Sequence, residues 1–319
     1  MVSFGIIFKY VLLFIMLMIP GYLVGKLRRP DPRGIDMTSS ILTDIAMPFL
    51  VFSSFLKTDI TSLRVSEVVI SLLLPFAIVG ITLLVTLVLF KKREGIDTGK
   101  VLANRYCAII PNCGFLGLPL AMAVFGADSR IAVLISLFNV ANTYIILTVG
   151  GYILSGETKF SLKKLLLSPV NFAILLGVVF SLMDIGVKFP MVISYADYLA
   201  SLTTPLSMTV LGYELSKLKL PQIVKNPAMY VASLVKLVIC PVTAMAILLL
   251  LRTVFAVNIG FELAAAIFIS SAVSTAATSP SLAAKFGADS EQAAVVTLGT
   301  TILCVITLPL LYIICNFLF

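Results

Sequence analysis

The feature that most constrains this chain is its punctuation. Apolar runs of about twenty residues follow one another almost without pause, and basic clusters sit in the short gaps between them. Such a run is the length needed to cross the hydrocarbon core of a bilayer as a helix. Ten of them read from the sequence, at roughly 4–25, 38–57, 67–90, 101–125, 130–154, 162–184, 192–215, 227–251, 260–286 and 290–317, and they use nearly all 319 residues. That leaves no room for a soluble domain. Only 12% of residues are charged, against about a quarter in soluble domains. The first run, Tyr10 to Val24, has no small-x-small cleavage site after it and is followed by Lys26, Arg28 and Arg29. It reads as an uncleaved first span.

The net charge of +8 does not point to nucleic acid, because the basic residues alternate between gaps. One set of gaps holds 16 Lys and Arg residues, from Lys26 to Lys285, and the other set holds 5: Lys57, Arg64, Arg130, Lys188 and Arg252. The positive-inside rule then places both termini outside and the segment 155–164 in the cytoplasm. A multi-pass protein of the plasma membrane is expected. The five cysteines form no CxxC pair and lie in apolar runs, as small buried residues do. Histidine is absent, which removes the commonest metal ligand and general base. No catalytic residue, metal or cofactor is expected, and intramembrane hydrolysis has little to work with.

The chain also repeats. Residues 119–129 read Pro-Leu-Ala-Met-Ala-Val-Phe-Gly-Ala-Asp-Ser, and residues 280–290 read Pro-Ser-Leu-Ala-Ala-Lys-Phe-Gly-Ala-Asp-Ser. Pro48 and Pro205 are related by a similar offset. The halves are then 1–158 and 159–319, with five spans each. An odd number of spans per half forces the second half to insert upside down, the build of many secondary transporters. Within the repeats, spans 4 and 9 are not smooth helices. Pro111 removes an N–H and displaces the carbonyl of Cys107, and Asn112, Gly114, Gly117 and Pro119 follow. Span 9 carries Ser270, Ser271, Ser274, Thr275, Thr278 and Ser279 before Pro280. Ser279-Pro280 reads as an N-cap with proline at the first helical position.

Freed backbone at membrane depth is tolerated only where it meets protein or a watery cavity. Half-helix N-termini attract anions. Two breaks in corresponding places therefore mark a candidate site for a small organic anion, although either break alone could be a kink with no ligand. Few charges lie inside spans. Lys236 reads as either a snorkelling lysine or a charge near an anion. Asp44 could carry a proton or a cation. Lys9 reads as snorkelling, and Asn139 and Asn142 as bonds between helices.

At these motifs the chain resembles the auxin efflux carrier family. Ile110-Pro111-Asn112 through Gly117-Leu118-Pro119-Leu120, closing on Val124-Phe125-Gly126, is similar to the signature of its fourth helix. Met47-Pro48-Phe49-Leu50 resembles its second helix, and Pro280 through Gly287 its ninth. The resemblance spans the whole chain. It implies an all-α integral membrane fold of ten transmembrane helices in two inverted five-helix repeats, like the bile acid:sodium symporters, with broken crossover helices 4 and 9. Helices 1, 2, 6 and 7 would form a scaffold, and 3–5 and 8–10 a moving transport domain. Pro111, Asn112, Cys113 and Gly114, with Thr275, Thr278, Ser279 and Pro280, would surround the substrate. Asp44 and Lys236 are the candidates for charge or coupling.

The plant members carry an additional proline where this chain reads Val273-Ser274-Thr275, and they have a long cytoplasmic loop that is absent here. Small residues such as Gly114, Gly117, Ala276 and Ala277 leave little platform for an indole ring. A short mono- or dicarboxylate such as malate or malonate is therefore expected over auxin-like acids. Proton or sodium coupling, an elevator motion and a homodimer in lipid complete the expectation. The alternatives are a sodium-coupled symporter of bulkier amphipathic acids, a passive channel, and a membrane enzyme.

Overall fold

The computed structural model describes residues 4–28, 32–58, 61, 63–91, 95, 97–155, 169–218 and 220–319, and among them it is helical with no strand. Among the described residues six helices are long and apolar enough to cross a membrane: α1 (Gly5–Leu27), α2 (Met37–Lys57), α3 (Val65–Leu89), α6 (Arg130–Ser155), α10 (Pro227–Thr253) and α13 (Ser290–Leu318). The first half of expected span 4 is α4 (Thr98–Cys107). Three shorter apolar helices are α5 (Cys113–Phe125), α7 (Pro169–Leu182) and α11 (Phe261–Ala272). Expected span 7 is two helices, α8 (Pro190–Ala200) and α9 (Thr203–Lys217). Span 9 ends in the seven-residue α12 (Ser279–Lys285). The start expected for span 6, the 158/159 boundary between halves and the lysines at 159, 163 and 164 lie outside the described residues.

Prolines set most irregularities. A proline clashes with the carbonyl four residues back. Pro20 meets Met16, where the first part of α1 ends before a turn at Leu17–Met18. Pro205 meets Ser201, at the turn between α8 and α9. Elsewhere the helix widens instead. Five-residue π turns at Leu42–Ala46, Cys113–Gly117 and Val235–Ile239 each end two residues before Pro48, Pro119 and Pro241. A wider turn makes room for the ring without stopping the helix. Helix starts are capped by their own sequence: Asp97 accepts from Gly99 N, Asn226 from Met229 N and Asp289 from Gln292 N.

Two packing sets emerge. In one, α1 lies on α9, and α2 lies against α7 and α8; in the other, α3, α4, α6, α10, α11 and α13 pack together. The N-terminal half of α1 also touches α13 and so joins the sets. The α1–α9 contact is backbone on backbone. A Cβ added at Gly21 would lie 1.9 Å from the Thr209 carbonyl oxygen, and one at Gly212 would lie 1.9 Å from that of Met18. Small residues allow such approach in membranes, where apolar burial gives no drive between helices. The innermost helix is α11, buried from Leu263 to Ala272. The outer surface is apolar, with side chains such as Leu84, Val88 and Phe317 exposed, as lipid requires.

Candidate functional site

The two breaks face each other. After Cys107 the chain leaves the helix, and it resumes with the turn at Cys113. After Ala272 it leaves α11 and resumes at Ser279. The two non-helical segments run antiparallel and pair at Pro111 and Thr275. Asn112 N donates to Ser274 O at 2.8 Å, and Ala276 N donates to Ile110 O at 3.1 Å. Pro111 has no N–H to return to Cys107, and the Thr275 hydroxyl replaces it, donating to Cys107 O at 2.6 Å. Thr275 N donates to Thr300 Oγ1 at 3.1 Å. Each break thus satisfies the backbone of the other, which is what irregular chain at this depth demands.

A cavity of about 200 Å³ opens beside this pairing, between α2, the α5 break, α6, α7 and the α11–α12 break. Of the residues expected at the site, Pro111, Asn112, Gly114 and Thr278 line it; Cys113, Thr275, Ser279 and Pro280 do not. Cys113 turns towards α6 and its thiol donates to Asn139 Oδ1 at 3.1 Å. Thr275 holds the backbone together. Ser279 is buried beside Tyr106 and Cys107, and Pro280 lines a separate crevice against α9 and the start of α13. Ser279 is also not the N-cap that its sequence suggested. The helix begins one residue earlier in register, with Thr278 at the cap, and no side chain caps it.

Asn112 brings a buried amide to the wall of the cavity. The residue is 3% exposed, and its amide nitrogen Nδ2 has no hydrogen-bond partner among the described residues. A buried donor of this kind is costly unless something fills its place. Gly114 is tightly covered, since a Cβ there would meet Met47 Cε at 2.0 Å. Thr43, Met47 and Thr143, which were not expected at the site, line the cavity too, and Asn139 and Asn142 were expected to bond between helices rather than to face a ligand. Asn142 does bond between helices, from Nδ2 to Pro111 O at 3.3 Å. Yet both asparagines line the cavity as well. Asn139, Asn142, Thr143 and Ile146 fall at i, i+3, i+4 and i+7 on α6, a stripe that helical periodicity could have marked.

No charged side chain lines this cavity among the described residues. Asp44 is exposed and accepts from the Thr43 hydroxyl at 3.2 Å. Lys236 does not snorkel. It is 1% exposed, and its Nζ donates to Ser271 O at 2.6 Å behind the pairing. Lys9 is exposed at the periphery.

Comparison with known proteins gives a consistent result. The family model described as membrane transport protein matches residues 6–159 and, again, residues 155–312. An uncharacterized transporter of Methanothermobacter thermautotrophicus is 28% identical over 212 residues, covering 65% of this chain and 67% of that protein. An uncharacterized transporter of Methanocaldococcus jannaschii is 28% identical over 252 residues, covering 73% of this chain and 76% of that protein.

Proposed function

This chain belongs to the membrane transport protein family, the auxin efflux carrier family that its fourth span resembles, and we propose that it is a secondary carrier of small organic anions. The family is one of transporters, not enzymes, and the chain is a multi-pass membrane protein. In our reading the substrate is a short mono- or dicarboxylate such as malonate or malate, held beside the paired breaks. The observation that carries this is Asn112, whose buried amide nitrogen is an unused donor on the cavity wall. The N-terminus of the thirteen-residue α5 adds free N–H groups and a positive dipole end at the same place. Its counterpart α12 starts beside the cavity at Thr278 but, at seven residues, is too short to contribute a comparable dipole end. The volume, about 200 Å³, falls below the roughly 300–1,000 Å³ of sites for drug-sized ligands. It favours a compact acid over the bulkier amphipathic acids of a sodium symporter.

The mechanism we infer is alternating access by an elevator motion. The halves 1–158 and 159–319 would be inverted repeats, with spans 1, 2, 6 and 7 as scaffold and spans 3–5 and 8–10 as the moving body. The shared Phe-Gly-Ala-Asp-Ser after a shared proline supports the repeat. The cavity supports the motion, because it lies between α2 and α7 of one packing set and α5, α6 and the α11–α12 break on the other side. The protein would work as a homodimer in the plasma membrane with both termini outside. Counterflow in proteoliposomes separates a carrier from a passive channel, since only a carrier exchanges labelled for unlabelled substrate.

The site is tested with Asn112→Ala. Hydrogen bonds to a charged group are worth about 1.5–3 kcal/mol, or roughly ten- to a hundredfold in affinity. Asn112 Nδ2 bonds nothing among the described residues, so its loss should leave folding intact. Malonate binding should fall by that factor, and a neutral amide analogue should compete poorly with the wild type. Unchanged malonate affinity in the variant would falsify the site.

A further inference from the structure

The most costly side chain to bury is not in the cavity. Lys236 sits in α10 at 1% exposure. Its ammonium has three donors, and the bond to Ser271 O is its only hydrogen bond among the described residues. Ser271 lies in the last turn of α11, where carbonyls lack helical partners and the helix dipole is negative. Among the described residues, the other groups that act electrostatically on it are the thiols of Cys113, Cys240 and Cys304, from α5, α10 and α13, with no carboxylate among them. A charge buried in a membrane protein without a counter-ion is expensive and marks function.

A void of about 10 Å³ adjoins Lys236 and is also bounded by Pro111, Asn142 and Ser271. That is the space of a single water. Pro111 and Asn142 also line the substrate cavity, so these two residues form the wall between the cavity and the lysine. Asn142 spends its amide nitrogen on Pro111 O and Cys113 Sγ, each at 3.3 Å. Its Oδ1 is buried and has no partner among the described residues. The void is therefore lined both by a residue whose ammonium has donors to spare and by one whose amide oxygen lacks one.

We propose that Lys236 is a tethered cation: its ammonium occupies, at the C-terminal end of half-helix α11, the place that a coupling cation would take, and Asn142 relays its charge to the substrate cavity. Unwound carbonyls and half-helix C-termini are where broken-helix transporters coordinate sodium. Here a side chain fills that position permanently. Anion binding then needs no sodium ion, and it depends on the charge of Lys236 more than on its bulk. This deepens the reading of the cavity as an anion site and rests on it.

The experiment uses the purified full-length protein. Lys236→Ala removes a stem and ammonium that propylammonium matches and propan-1-ol matches in shape alone. Propylammonium should raise the melting temperature of that variant and propan-1-ol should not; equal effects, or none from either, overturn the cation site. Lys236→Met keeps the volume without the charge. It should lose about tenfold in malonate affinity, the size of one charge-assisted bond, while Lys236→Arg keeps most of it. Wild-type malonate binding should be the same in sodium and choline chloride, and a sodium requirement overturns the proposal. Equal malonate affinity in Lys236→Met and wild type overturns the relay while leaving the anion site standing. If malonate fails to bind the wild type, the proposed acid is wrong, and the amine rescue alone upholds or overturns Lys236 as a cation site.

Discussion

Thr275→Val tests whether the two breaks hold each other. Valine has nearly the shape of threonine, so the change opens no cavity. It deletes one bond, from the Thr275 hydroxyl to Cys107 O at 2.6 Å. Both residues are fully buried. Pro111 cannot supply the missing N–H, so the carbonyl is left orphaned where water is scarce. An unsatisfied buried group costs about 1–3 kcal/mol, whereas interhelical bonds in membrane proteins average about 0.6 and reach about 1.7. The expected loss is about 1–2 kcal/mol. At roughly 2–4 °C per kcal/mol for chains of 150–250 residues, the melting point should fall by a few degrees. The assay is supplied by the protein itself, because all five cysteines are buried and free. A maleimide that fluoresces on reacting with thiols therefore reports unfolding directly. Thr275→Ser keeps the donor and should melt close to wild type. In a Pro111→Ala background a backbone N–H returns, and the cost of Thr275→Val should shrink. A wild-type melting point for Thr275→Val, or an equal loss for Thr275→Ser, would refute the mutual support of the breaks.

Gly212→Ala should destabilise by about 1–3 kcal/mol, because its Cβ would lie 1.9 Å from the Met18 carbonyl. Gly80→Ala, with nothing within 4 Å, should be neutral or add about 0.5–1 kcal/mol; similar melting points for the two would count against the α1–α9 contact. Arg130 bonds Glu67 and Glu262 at 2.7 Å each, tying α6 to α3 and α11. Arg130→Gln leaves the buried Glu67 carboxylate, which also accepts from the Arg64 N–H, without its cation. A loss of about 1–3 kcal/mol is expected, below the roughly 3–5 for a fully buried pair because Arg130 is partly exposed; Glu67→Gln added to it should cost less than the sum. For orientation, Thr61→Cys should react with an impermeant thiol reagent from outside and Lys225→Cys should not, and the opposite labelling would reverse the topology.

What the sequence determined by itself is what depends on neighbours along the chain. Twenty apolar residues must cross lipid as a helix because no water is there to satisfy the backbone. Pro20, Pro111 and Pro205 interrupt helices because the ring removes a donor and crowds the carbonyl one turn back. The break at Pro111 was therefore legible, and so was Asn112 beside it. The break after Ala272 was legible only as a patch of hydroxyls, and its register slipped by one at Ser279, since capping depends on where the helix axis points. Tertiary structure decided the rest. Thr275 looked like a ligand, yet it bonds a carbonyl 168 residues away in the chain. Asn139 and Asn142 looked like glue between helices, yet packing against α2 and α7 turned their face into a cavity wall. Lys236 could have reached either the surface or a ligand, because a long stem allows both. Only the placement of α11 beside α10 settled that its ammonium ends on the carbonyl of Ser271. Local sterics act at fixed sequence separation, whereas a partner for a buried polar group is supplied by whichever remote segment the packing brings within 3 Å or so.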